Sequence, residues 1–137
     1  MPHVVVQYTA NIEPQAEIGK LCCALAEVLV AQRGSDGARV FPIGGTRVLA
    51  YPAAHFAVAD GAPDRAFVFV EASIAAGRPP AAVAAAGEAM LAVVRDHFAS
   101  LFASRAIGIT LQIHETAPAY DAKHSNLHPL FFETAGR

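Results

Sequence analysis

A proline at position 2, in "MPHVVVQYTANIE", can do chemistry only if it ends the chain. Inside a chain its nitrogen is an amide, with neither a proton to donate nor basicity to use. A small residue after the initiator methionine favours removal of that methionine, and the mature chain is expected to begin at Pro2 with a free secondary amine. An α-amino group ordinarily titrates near about 8, and burial or neighbouring cations lower that value, which leaves an unprotonated base at neutral pH. Two arginines are placed to provide such cations. Arg47 follows the glycine pair of "IGGTR", where backbone and ligand can approach closely. Arg78, in "AAGRPP", falls between a strand end and a helix start, a position that favours anions. Guanidinium forks match carboxylates, so a base among these arginines suits a small carboxylated or keto acid substrate.

The elements that must position these residues read as a repeat. Val4, Val5 and Val6 open a strand. From Pro14 to about Gln32 the apolar residues Ile18, Leu21, Cys22, Leu25, Val28 and Leu29 recur at three- and four-residue spacing, one face of a helix ending in "RGSDG". A second strand is expected across "ARVFPIGGTRVLAY", interrupted by its proline and glycines. The pattern returns with a strand at "AFVFVEASI" and a helix from residue 80 to about 103. The face of that helix is Val83, Met90, Leu91, Val94, Phe98, Leu101 and Phe102. In the last strand, "IGITLQIH", Ile107, Ile109, Leu111 and Ile113 alternate with smaller or polar residues. The predicted fold is α+β, a tandem βαβ repeat over about residues 2–50 and 66–114. Its four-stranded sheet carries two helices on one face, and a C-terminal arm completes a single domain of residues 1–137. The other sheet face needs a cover, and partner subunits are the expected one. Leu127, Leu130, Phe131 and Phe132 of the arm are expected to pack on a neighbour.

Composition narrows the function classes. With 137 residues there is room for one domain, and 54% hydrophobic against 16% charged residues favours an oligomer. A net charge of −2 offers no basic field for nucleic acid, and no apolar run approaches membrane-spanning length. Without a basic, apolar and cleavable leader pattern, the expected compartment is the cytoplasm. Adjacent Cys22 and Cys23 suit reduced thiols better than a disulfide framework. His124 and His128 are spaced as metal ligands on a helix, but no third ligand is marked, so no metal is expected. No G-x-S-x-G elbow marks a serine hydrolase.

The set "MPHVVVQYTANIE", "FPIGGTR", "ADGAPDRAFVFV", "AAGRPP", "HFASLFASR" and "KHSNLHPLF", in that order from Pro2 to about Phe131, resembles the 5-carboxymethyl-2-hydroxymuconate delta-isomerase family of the tautomerase superfamily. The resemblance implies a homotrimer built from two βαβ units per chain, the longer counterpart of the hexameric 4-oxalocrotonate tautomerases. It implies Pro2 as catalytic base, Arg47 and Arg78 as substrate-binding residues, and a double-bond shift that needs no cofactor, within the breakdown of homoprotocatechuate-type aromatic acids. Two positions depart from the family pattern. Gln7 stands where glutamate is common, and Leu49 stands where a second alternate arginine is common, removing one cation from a site for a multiply charged acid. "RGSDGAR" is longer than the usual loop. The alternatives are a keto-enol tautomerase of a smaller acid such as a phenylpyruvate, favoured by Gln7 and Leu49, and a non-catalytic trimeric binding protein of the same fold.

Overall fold

The computed structural model describes residues 1–131 of the chain. Four strands, β1 (His3–Thr9), β2 (Arg47–Ala53), β3 (Ala66–Ala75) and β4 (Ile107–Thr116), form one sheet in the order β2-β1-β3-β4. β1 runs parallel to β2 and antiparallel to β3, and β3 runs parallel to β4. Each parallel pair is joined through a helix: α1 (Ile18–Val30) in the first unit and α2 (Pro80–His97), extended by short α3 (Ala99–Ser104), in the second. The repeat read from the sequence is therefore the observed architecture.

Alternation in the strands decides which face the helices cover. Val4, Val6 and Tyr8 of β1 and Val68, Val70, Ala72 and Ile74 of β3 are buried, and they join one core with Leu21, Leu25 and Leu29 of α1 and Met90 and Val94 of α2. Ile107, Ile109, Leu111 and Ile113 of β4 pack against that core. The opposite sheet face remains uncovered by the described residues. Leu49 and Tyr51 on it are each 53% exposed, beside half-buried Val5, Phe67 and Phe69.

Three expected boundaries shift. The first helix begins at Ile18 rather than Pro14, because a turn first buries Ile12 and Ala16, and Glu17, at φ 48°, then caps the helix. The second strand is shorter than expected. Its proposed first half forms a small hairpin, in which Arg33 and Arg39 pair in an antiparallel bridge, followed by a 3-10 turn at Ile43–Gly45. Proline 42 and the glycine pair break the ladder there, so only residues from Arg47 onward join the sheet. The single helix over 80–103 divides at Phe98. The ring of Phe98 is fully buried, and the chain that continues leaves Phe102 at 53% exposure, off the expected face.

The C-terminal arm folds back on its own chain. Its 3-10 turn, His128–Phe131, lies on the Ile43–Gly45 turn of its own chain, so close that a Cβ on Gly44 would stand 3.0 Å from the His128 Cα. Leu127 and Leu130 nevertheless remain exposed, and Phe132 lies outside the described residues. Cys22 and Cys23 are free thiols, and burial raises the pKa of Cys22.

Candidate active site

The topology brings Pro2, Arg47 and Arg78 to one end of the sheet. Because β2 is parallel to β1, both strands begin there, with His3 opposite Arg47. Because β3 is antiparallel to β1, it finishes there, with Ser73 opposite His3. Pro2 is buried, and its carbonyl accepts the Arg47 N–H at 3.0 Å, which fixes the start of β1 to the start of β2.

Each arginine is oriented by its own local structure. The Ile43–Gly45 turn delivers Arg47 to the head of β2, where its Nη1 donates back to the Gly45 carbonyl at 3.0 Å. Gly77, at φ 111°, makes the left-handed turn between β3 and α2 that a side chain would resist. Arg78 follows it. Its Nε donates to the Val40 carbonyl at 3.3 Å, its Nη1 donates to the Ala75 carbonyl at 3.1 Å, and the guanidinium lies 4.8 Å from the Phe41 ring centre. Among the described residues neither arginine forms an ion pair with a carboxylate.

The amine of Met1 lies in this environment. Its pKa is lowered from the ordinary 8.0, first by burial and then by Arg78 and Lys123, against the opposing charge of Asp121, with a further contribution from Arg47. With Met1 in place, the methionine side chain covers Gly45, where an added Cβ would meet its sulfur at 2.5 Å. The Pro2 nitrogen is one peptide further in.

A cavity of about 240 Å³ opens at this point, lined by Met1, His3 and Arg47 from the sheet end and by Asp121, Lys123 and His128 from the arm. A neighbouring cavity of similar size extends from Met1 and His3 to Ser73 and Ala75, the residue whose carbonyl holds Arg78. The spacing of Arg47 and Arg78 thus led to residues that converge. Reading the arm as an apolar cover missed its polar contribution, Lys123 held by Asp121. The signal was present in "YDAKHSNLHP", a polar stretch just ahead of the apolar tail. His124 and His128, considered above as a metal pair, line the same cavity as Arg47. Gln7 and Leu49 lie further along β1 and β2. Leu49 is two residues beyond Arg47, opposite Val5 on the uncovered sheet face.

Comparison with known proteins decides the family. The profile of 5-carboxymethyl-2-hydroxymuconate isomerase matches residues 2–131. The chain belongs to that family. It is 31% identical over 131 residues to the 5-carboxymethyl-2-hydroxymuconate Delta-isomerase of Escherichia coli, covering 96% of this chain and 99% of that protein. The crystal structure of a 5-carboxymethyl-2-hydroxymuconate delta-isomerase superposes with a TM-score of 0.91 at 40% identity, covering 96% of this chain and 93% of the other. A 5-carboxymethyl-2-hydroxymuconate isomerase from Deinococcus radiodurans R1 gives 0.84 at 37% identity, covering 95% and 93%. A fused 4-OT symmetric trimer, at 21% identity and a TM-score of 0.60 over 90% and 92% of the two chains, shares the fold. The 5-carboxymethyl-2-hydroxymuconate isomerase family thus accounts for the whole described fold, including the arm that lines the cavity.

Proposed function

We propose that this protein is a cofactor-independent isomerase of 5-carboxymethyl-2-hydroxymuconate, with Pro2 as its general base. The observation that carries this reading is the placement, at one end of a 5-carboxymethyl-2-hydroxymuconate isomerase fold, of Pro2 beside Arg47, next to a Met1 amine whose pKa Arg78 and Arg47 help to lower. The mechanism follows from the charges. An uncharged proline nitrogen takes the 2-hydroxyl proton of the dienol, and a guanidinium stabilises the dienolate oxygen as its charge develops. The same nitrogen, now protonated, delivers that proton to a carbon of the conjugated system while the oxygen's electron pair forms the C2 carbonyl, so that a double bond has moved and base and substrate are restored in charge. The second arginine holds a carboxylate and thereby fixes which carbon faces the nitrogen.

The working unit is a homotrimer in the cytoplasm. The uncovered sheet face, with Val5, Leu49, Tyr51, Phe67 and Phe69, supports oligomerisation, because apolar surface of this kind is stabilised by a partner. Trimeric relatives of the fold supply the number. No helix among the described residues is long and apolar enough to cross a membrane.

Replacing Pro2 with alanine tests the base. The variant is expected to assemble as the native protein does and to lose about 10²- to 10⁴-fold in kcat on 5-carboxymethyl-2-hydroxymuconate, the usual contribution of a positioned acid–base group. Undiminished turnover would exclude proline as the base.

A further inference from the structure

A separate groove, with neither Met1 nor His3 in its lining, is walled by Arg78. Its volume is about 430 Å³, and Arg33, Arg39 and Arg78 line it together with Ala81 at the start of α2. Arg33 and Arg39 belong to the long "RGSDGAR" segment, which is an ordered hairpin. The Val40 N–H donates to the Gln32 carbonyl at 3.1 Å, and the Gly34 N–H donates to the Ala38 carbonyl at 2.8 Å. The Asp36 carboxylate accepts the Ala38 N–H at 3.0 Å within the turn, which Gly37 closes at φ 81°.

Arg33 and Arg39 are bridge partners, so their side chains leave the same side of this hairpin. Like charges placed opposite one another in a pair are destabilising unless an anion lies between them. Asp36 is the one carboxylate lining the groove, and none of the three arginines forms an ion pair among the described residues. The Arg39 Nη1 donates to the Val30 carbonyl at 2.6 Å, while its Nε is buried with no partner in the structure. A charged donor left without a partner is costly.

We propose that this groove is a second carboxylate subsite, in which Arg33 and Arg39 bind an acid group of the substrate remote from the carbons that exchange the proton. Arg78 is the wall shared by the two sites. Its Nη1 is anchored on Ala75, which lines the cavity next to Met1, and its guanidinium lines the groove. The inference rests on the isomerase reading above, and its test separates the two.

The test compares two substrates, 5-carboxymethyl-2-hydroxymuconate with three carboxylates and enol-phenylpyruvate with one, in the full-length enzyme. The double variant R33Q/R39Q is expected to lower the kcat/KM ratio of the first substrate to the second about tenfold, mainly through KM for the tricarboxylate. Because Arg39 also supports the end of α1, R33Q alone, on an exposed side chain, keeps the result readable in a folded protein and is expected to shift the ratio in the same direction. Ala81→Asp is expected to do so as well. An acid in the first turn of α2 favours the helix, yet it competes with a bound carboxylate. An unchanged ratio in all three folded variants overturns the subsite. If the native enzyme turns over neither substrate, the isomerase reading fails, and the subsite is decided by equilibrium binding of tricarballylate. Affinity at least tenfold weaker in R33Q/R39Q than in the native protein upholds it, and equal affinity overturns it.

Discussion

The two ends of the sheet have the same backbone and opposite electrostatics. At one end the Arg47 N–H donates to the Pro2 carbonyl at 3.0 Å, joining the heads of β1 and β2. At the other end the Ala66 N–H donates to the Ala106 carbonyl at 3.0 Å, joining the heads of β3 and β4. The residue just ahead of β1 is Pro2, and the residue just ahead of β3 is Arg65. Arg65 is fully engaged, meeting Asp60 at 3.0 Å and Asp64 at 2.7 Å. Arg105 beside it donates to the Asn11 carbonyl at 2.8 Å and the Asp64 carbonyl at 3.0 Å. At the Pro2 end, Arg47 and Arg78 donate only to backbone carbonyls. One end of the duplicated scaffold has its charge neutralised and closes, whereas the other keeps a positive field around an amine. The difference locates function more sharply than the fold does, since both ends share the fold.

Substitutions can break this contrast in graded fashion. The largest effect belongs to Pro2→Ala, as given above. Next, Arg47→Gln is expected to reduce kcat/KM by about 10²-fold, the scale of removing one preorganised donor to a developing oxyanion. Arg78→Gln is expected to cost a similar factor and also to change the pH profile. Arg78 is the leading charge that lowers the pKa of the Met1 amine, and its removal is expected to raise that of the Pro2 amine once Met1 is gone. Activity requires the unprotonated amine, and the acidic limb of kcat/KM therefore moves to higher pH. A limb that stays in place would detach Arg78 from the base. Gly44→Ala is a milder probe, because its Cβ must displace the arm at His128. KM is expected to rise several-fold with kcat nearly constant.

The smallest effect is expected at the closed end. Arg65→Gln should leave kcat/KM at the native level, which would show that the duplicated position has no share in catalysis. It should soften that end at neutral pH. The Asp60 pKa is held below the ordinary 3.8, first by the Ala62 N–H and then by Arg65. A carboxylate with a depressed folded pKa contributes stability that is present above its ordinary value and lost as pH falls through the folded one. Thermal melts of the native and Arg65→Gln proteins should therefore differ more at neutral pH than in strong acid.

Much of this was legible in the sequence because it depended on periodicity. The three- and four-residue spacing in α1 and the alternation in β3 and β4 each had one apolar face to bury, and the structure buries those faces. Arg47 and Arg78 could be marked because glycines precede them, and Gly77 indeed takes a left-handed conformation. The segment from Ala38 to Gly45 was misread as strand. Its apolar residues Val40 and Phe41 have strand character, but its local turns satisfy the backbone before a ladder can form. The arm was read through its leucines and phenylalanines, so the contribution of Asp121, Lys123 and His128 to the cavity became visible only once the chain folded back on the Ile43–Gly45 turn. That contact depends on residues more than 80 positions apart, which no local pattern encodes.

The central claim concerns the nitrogen of Pro2 itself, and intact-mass measurement of the purified native enzyme, paired with its turnover of 5-carboxymethyl-2-hydroxymuconate, tests it most directly. The expected result is a fully active protein whose mass corresponds to a chain beginning at Pro2. Full activity in a protein that retains Met1, where the Pro2 nitrogen is an amide with no basicity, would contradict it.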